Sequence, residues 1–245
     1  MVKYFTLSVI IPAYNEEERI KDTLEDVQRW IEERKIDAEV IIVNDGSLDN
    51  TLKVLKEFEE RSIFKVISYE KNMGKGYAIR KGIINARGKI RLFMDADNST
   101  TIDHFDLMLP FFEKGYDMVI GSRHKKDAEG GMQVKRQFFV KRFMGKAGNL
   151  LVRRLLDLPF YDTQCGFKAF TDKASTTLFS DLKTYGWAFD MEILFKAKKM
   201  NFKIGVIPVK WYNKKGSKVK FFDYLKTLRD VLKIRFGRHL REKIQ

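Results

Sequence analysis

Short apolar runs alternate with charged, helix-periodic stretches through the first half of the chain. Tyr4–Ile11 is a strand-like run closed by Pro12, and Glu16–Arg34 then carries Ile20, Leu24, Val27 and Ile31 at helical spacing. Acids lie early in that stretch and Arg34-Lys35 late, the order a helix dipole favours. Glu39–Val43 predicts a second strand ending at Asn44-Asp45-Gly46-Ser47, and Thr51–Glu60 predicts a helix bearing Leu52, Val54, Leu55 and Phe58. Phe64–Ser68 predicts a third strand, Lys75–Ala86 a helix, and Ile90–Met94 a fourth strand. Such βαβ repetition implies an α/β fold with a mostly parallel sheet flanked by helices, and ligands beyond the carboxyl ends of the strands. Pro12–Glu16, Asn44–Ser47 and Asp95–Asn98 all fall at those ends.

The second half is less regular. Thr101–Lys114 predicts a helix, Tyr116–Gly121 a strand, and Ser122–Met132 a polar, Gly-containing loop that is the best candidate for a mobile segment. A long helix or helix pair is expected over 134–156, turn plus strand over Asp162–Phe170, turn plus helix over Gly186–Met200, and a strand over Lys203–Trp211. The last stretch, Val219–Phe236, carries an apolar stripe of Phe221, Tyr224, Leu225, Leu228, Val231, Leu232 and Ile234 among Lys220, Lys226, Arg229, Lys233 and Arg235. A cationic helix of this kind either packs on the domain or lies in a membrane interface, and both can hold together. The organisation expected is one domain over 1–218 followed by a basic amphipathic helix over 219–245.

Composition narrows the chemistry. The 245 residues, 44% hydrophobic, suffice for one full α/β core. The single Cys165 rules out an internal disulfide and a cysteine-rich zinc site, and His104, His124 and His239 show no metal-binding spacing. The opening MVKYFTLSVIIPAYNEE has a short apolar stretch running into a charged helix, and reads as a strand rather than a signal peptide. No apolar segment approaches the roughly 18 residues of a membrane span. Net charge is +14, and residues 201–245 hold 13 Lys and Arg against 3 Asp and Glu. Such a field attracts polyanions: nucleic acid, anionic lipid or phosphorylated substrates.

Asp95 and Asp97, one residue apart at the end of the fourth strand, can approach one hard cation, although Asp and Asn are also ordinary turn residues. GxGxxG after the first strand and GxxxxGK[ST] are both missing, which argues against a Rossmann dinucleotide site or a P-loop. In Pro12-Ala13-Tyr14-Asn15-Glu16, Tyr14 can lie against a base or sugar. Asp45 can meet a base or ribose, or the segment can be an Asx turn. Gly74-Lys75-Gly76 can present N–H groups and an ammonium to phosphate, or be a flexible cap. Arg123, Arg136 and Arg142 offer forks for phosphate, and Lys210, Lys215 and Lys218 surround the turn Gly216-Ser217. Each of these is, taken singly, also a plausible solvated surface charge.

Six blocks in order carry a resemblance: Val9-Ile10-Ile11-Pro12-Ala13-Tyr14-Asn15-Glu16, Val43-Asn44-Asp45-Gly46-Ser47, Asp95-Ala96-Asp97, Gly121-Ser122-Arg123, Asp162–Lys168 and Trp187-Ala188-Phe189-Asp190-Met191-Glu192. Together they resemble glycosyltransferase family 2, and within it the polyprenyl-phosphate sugar synthases of the dolichyl-phosphate β-glucosyltransferase type. The resemblance implies a GT-A nucleotide-diphospho-sugar transferase fold and inverting transfer of glucose from UDP-glucose to a polyprenyl (dolichyl) phosphate. It implies that Pro12, Ala13, Tyr14, Glu16, Asp45, Lys75, Asp95, Ala96, Asp97 and Lys218 border the donor, and that Asp95 and Asp97 hold Mg²⁺ or Mn²⁺. Arg123 and Arg136 are implied to hold the acceptor phosphate, with Lys135 and Arg142 as alternatives to Arg136. Asp190 is a catalytic candidate, as a base, an orienting group or a helix N-cap. Asp162 has a similar status, with a turn role equally open.

Neither the transmembrane hairpin of many dolichyl-phosphate synthases nor the N-terminal anchor of the eukaryotic pattern is expected from this sequence. Either it meets its lipid peripherally, on the cytoplasmic face of a membrane, or its acceptor is not a polyprenyl phosphate. The alternatives are GDP-mannose as donor, a transferase building polysaccharide, and a non-enzymatic nucleic-acid-binding module using the basic tail. No recognisable nucleic-acid motif supports the last, and no nucleic-acid partner is expected.

Overall fold

The computed structural model describes residues 5–133, 139–212 and 221–237. The chain forms β1 (Phe5–Ala13), α1 (Ile20–Arg34), β2 (Ala38–Asp45), α2 (Thr51–Glu59), β3 (Phe64–Tyr69), α3 (Lys75–Asn85) and β4 (Gly88–Met94). After a 3₁₀ turn over Ile102–Leu107 come α4 (Leu109–Glu113), β5 (Met118–Ser122), β6 (Met132–Gln133) and α5 (Phe139–Leu156). Then follow β7 (Phe167–Thr171), α6 (Asp172–Ser180), α7 (Phe189–Lys199), β8 (Ile204–Pro208), β9 (Lys210–Trp211) and α8 (Phe221–Phe236).

Seven strands make one sheet in the order β3-β2-β1-β4-β7-β5-β8. Neighbours are parallel except at β7, which runs antiparallel to both β4 and β5. The central strands are covered on both faces, as their nearly unbroken Val/Ile content requires. Successive residues serve opposite layers: Val9 packs with Leu24, Val27 and Phe105, whereas Ile10 packs with Ile79, Phe170 and Phe189. The result is an α/β Rossmann-like fold, one mixed sheet between two helical layers. A separate two-stranded piece pairs β6 with β9.

Several expectations change. The sheet is mostly parallel, as expected, but β7 returns from a long excursion in the reverse direction, a reversal that was not anticipated. The helix expected over Thr101–Lys114 is a 3₁₀ turn followed by the short α4, since Pro110 lacks an N–H and can sit only in the first turn of a new helix. Pro208 likewise interrupts the expected Lys203–Trp211 strand, dividing β8 from β9. Helix α1 begins at Ile20 rather than Glu16, whose carbonyl accepts the Arg19 and Ile20 N–H groups in a preceding turn. Helix α6 was not anticipated. Thr171 caps it, Oγ1 accepting the Ala174 N–H at 3.2 Å.

Helix α8 packs against α5 and α7, burying Val231 and Ile234 in the layer that holds Phe189. Leu225, Leu232 and Phe236 stay exposed, Phe236 at 71%. The packed alternative is therefore realised, with a separate apolar fringe left outside. Among the described residues, no helix is long and apolar enough to cross a membrane.

Candidate active site

The carboxyl ends of β1, β2, β4 and β5 share one rim with the amino end of β7. On that rim the first motif runs further into the sheet than expected: Pro12 and Ala13 are still β1, opposite Val43 and Asn44. Asn15 takes a left-handed φ of 52°. Its N–H donates to Ser47 Oγ at 3.0 Å, and its Oδ1 accepts the Leu48 N–H at 2.8 Å. The Glu16 N–H donates to Thr51 Oγ1 at 2.7 Å, and its carboxylate pairs with Arg19 at 2.5 Å. The loops following β1 and β2 are thus stitched into one unit, and Tyr14 belongs to the first of them.

In the second motif the Asx turn belongs to Asn44, whose Oδ1 accepts the Ser47 N–H at 3.3 Å. Asp45 instead accepts the N–H groups of Met73 and Gly74 at 2.7 and 3.0 Å. Burial raises its carboxyl above the ordinary value, and these two donors partly offset the effect. Asp45 therefore anchors the loop that enters α3.

That loop delivers Lys75, whose Nζ lies 2.5 Å from Asp95 Oδ1. Burial alone would depress this ammonium, but Asp95, Asp190 and Asp97 outweigh it and hold the group above its ordinary value. Asp97 lies just beyond, with Oδ1 accepting the Ser99 N–H at 3.0 Å and Asn98 left-handed at φ 53°. The bend is held from behind by Thr23, whose hydroxyl donates to the Ala96 carbonyl at 2.8 Å. Gly166 packs on the Asp95 carboxylate so closely that an added Cβ would overlap it.

Among the described residues no three His, Cys, Asp or Glu side chains gather as a complete metal cage. The donor set nevertheless suits a hard divalent ion, which takes one or two carboxylates and completes its shell with water and phosphate. Lys75 already stands in as a cation on Asp95, and Gly166 packs against the same carboxylate. Asp95 and Asp97 fit the group.

Across the rim, Arg123 forms a fork with Asp162: Nε to Oδ2 and Nη2 to Oδ1, both at 2.7 Å, with the Arg123 N–H donating to Oδ2 at 2.8 Å. Burial opposes both charges, yet each holds the other ionised, raising Arg123 and lowering Asp162 from their ordinary values. The Trp211 ring centroid lies 5.5 Å from the guanidinium carbon. The loop expected to be mobile is pinned here by Asp127, which accepts from Ser122 Oγ, Tyr161 N and Asp162 N at 2.7, 2.7 and 2.8 Å.

Asp190 is not an N-cap, a position held by Ala188. Its carboxylate is buried against Lys168, Oδ1 to Nζ at 2.5 Å, and Lys168 also donates to the Cys165 carbonyl at 2.6 Å. Burial raises the Asp190 carboxyl, and Lys168 and Lys75 pull it back only in part. Sequence reasoning gave Lys168, Gly166 and Asp127 no role. The one available signal was a lysine inside the apolar strand Phe167-Lys168-Ala169-Phe170, where an unpaired charge is costly. Burial pushes the Cys165 thiol up to about 12, so it is no nucleophile. Lys135, Arg136, Lys215 and Lys218 lie outside the described residues, as does the side chain of Arg142. Lys210 lies in β9, its N–H donating to His104 Nε2 at 3.1 Å.

Comparison with known proteins gives this rim a context. The model of the family "Glycosyl transferase family 2" matches residues 8–179. The chain is 35% identical over 244 residues to a dolichyl-phosphate β-glucosyltransferase of Dictyostelium discoideum, covering 94% of this chain and 74% of the relative. It is likewise 35% identical over 246 residues to the Homo sapiens protein of that name, with the same coverage of 94% and 74%. Among solved structures, mannosyl-3-phosphoglycerate synthase from Rubrobacter xylanophilus superposes with a TM-score of 0.71 at 18% identity, covering 98% of this chain and 75% of that one. That likeness concerns the fold. The chain belongs to glycosyltransferase family 2 and is closely related to the dolichyl-phosphate β-glucosyltransferases.

Proposed function

We propose that the chain is an inverting glucosyltransferase of the GT-A type that moves glucose from UDP-glucose to dolichyl or another polyprenyl phosphate at a membrane surface. The observation that carries this reading is 35% identity, over 94% of the chain, to proteins named for that activity. The geometry supports it, because an acid pair after β4 and an arginine after β5 border the same rim.

Two anions must approach one another, and the charged residues divide that task. Lys75 and Lys218 meet the donor diphosphate, while Pro12, Ala13, Tyr14, Glu16, Asp45 and Ala96 border the donor. Arg123 and Arg136 meet the acceptor phosphate; Nε and Nη2 of Arg123 are committed to Asp162, so Nη1 is its acceptor edge. An acceptor phosphate oxygen attacks the anomeric carbon as the bond from that carbon to the diphosphate oxygen breaks. The configuration inverts and UDP leaves with the bonding electrons. A phosphate is already anionic near neutral pH, so no strong base is needed. Asp190, tied to Lys168, is thereby an orienting group. Asp95 and Asp97 would hold Mg²⁺ or Mn²⁺, which when bound offsets the charge developing on the diphosphate.

The domain over 1–218 supplies this chemistry, and the basic segment over 219–245 supplies peripheral contact with the cytoplasmic face of an anionic membrane. Turnover of radiolabelled UDP-glucose and GDP-mannose with a polyprenyl phosphate, with and without Mn²⁺, tests the reading. Glucose transfer that needs both the lipid phosphate and the cation is expected. Transfer of mannose alone, or of glucose without any lipid phosphate, rejects it.

A further inference from the structure

In this structure the cation paired with Asp95 is a side chain of the chain itself. The Lys75 ammonium sits 2.5 Å from Asp95 Oδ1, and each side chain is at least two-thirds covered. This oxygen belongs to the same carboxylate that the metal-dependent reading requires, and one close cation must withdraw before another takes its position. We propose that Lys75 is a resident counter-ion of Asp95, handed to the donor diphosphate when a divalent cation takes the carboxylate, so that cation and sugar nucleotide bind cooperatively. The inference rests on the metal-dependent reading above.

The residue type and its mounting suit the exchange. A lysine ammonium is a point charge on a flexible four-carbon stem, and it can change partners without backbone movement. The backbone beneath it is held. Gly74 has φ +99°, and a Cβ there would come within 2.5 Å of the Tyr185 carbonyl oxygen. A Cβ on Gly76 would lie 2.7 Å from Phe189 Cβ, and the Gly76 N–H donates to the Tyr185 carbonyl at 2.8 Å. The glycines therefore fix where the stem begins and leave its end to move. The Trp187 ring centroid, 5.7 Å from Nζ, offers the ammonium a second attractive surface.

Charge balance then makes the two ligands interdependent. A divalent ion arriving alone displaces Lys75 and leaves two cationic groups together with no added anion. A diphosphate arriving alone draws Lys75 away and faces an uncompensated Asp95. Arriving together, carboxylate, cation, diphosphate and ammonium each have an opposite partner. Coupling of this kind is reciprocal: whatever factor UDP gives to cation affinity, the cation gives to UDP.

Mn²⁺ binding followed by electron paramagnetic resonance, with and without UDP, tests this in the whole chain. Wild type should take up Mn²⁺ weakly alone, and UDP should tighten it by about tenfold or more. Lys75→Met should bind Mn²⁺ alone about tenfold tighter than wild type, with little further gain from UDP. Lys75→Arg, which keeps the charge, should stay close to wild type. Mn²⁺ alone should also raise the Tm of Lys75→Met more than that of wild type, because it restores a partner to Asp95. Lys75→Gln gives the same comparison should the methionine variant fail to fold. Unchanged Mn²⁺ affinity in the neutral variants, or undiminished coupling to UDP, overturns the counter-ion role while leaving the metal site intact. Failure of wild type to bind Mn²⁺ even with UDP overturns the metal reading, and this proposal with it.

Discussion

Position 166 determines how closely one strand can approach the acid that ends another. An alanine there would drive its methyl group into the Asp95 carboxylate. Gly166→Ala should weaken Mn²⁺ binding and transfer together, at a stability loss of about 1–3 kcal/mol by overpacking, read from Mn²⁺ titration and urea unfolding. Asp97→Ala removes a charge without opening the core and should lower kcat by about 10²–10³-fold, with little change in Tm. Full transfer by that variant would dismiss a metal role for Asp97. Asp162 carries a pH signature. Its carboxyl is held below the ordinary 3.8, so the stability it gives is present above that pH and is lost as pH falls through the lowered value. Wild type should lose unfolding free energy below that pH, and Asp162→Asn should show a flatter acid limb in urea titrations. That variant should also start about 3 kcal/mol lower, since Arg123 is left without its partner. The place of Asp95, Asp97 and Arg123 just past strand ends was legible because each follows a strand-like apolar run. The pairing of Asp95 with Lys75 and of Arg123 with Asp162 was not, since each joins residues distant in sequence.

At the scale of elements, strand–helix alternation was readable up to Met94 because each segment repeats a single period. Beyond it, Pro110 and Pro208 divided what hydrophobicity joined, and the direction of β7 had no local signature at all. A strand's side-chain alternation is the same whichever way it runs. Helix α8 shows both faces of its pattern in use: Val231 and Ile234 are buried, whereas Leu225 and Phe236 remain exposed. Changing Leu225 and Phe236 to Ser should cut partition onto anionic vesicles by about tenfold or more, with Tm nearly unchanged. Val231→Asp should lower Tm sharply by burying an unpaired charge. Co-sedimentation and thermal melts separate the two effects. Vesicle binding that survives the double serine variant would dismiss α8 as the contact.

For the whole molecule, the net charge of +14 favours attraction to anionic surfaces, and on the proposed reading the exposed fringe of α8 adds an apolar contact with the membrane. Raising salt from about 0.1 to about 0.5 M should therefore release the protein from anionic vesicles, while binding of soluble UDP-glucose persists. Equal salt sensitivity of both would argue that the charge serves the site rather than the surface. The reversed strand β7 has a separate consequence. Since it runs against β4 and β5, the chain departs from this rim at Ser122 and re-enters it at Phe167. Everything between is a detour whose two ends meet beside the acids, like a drawer fitted into a fixed cabinet. Exchanging that drawer between relatives should re-address the enzyme to another acceptor while the nucleotide half goes on working unaltered.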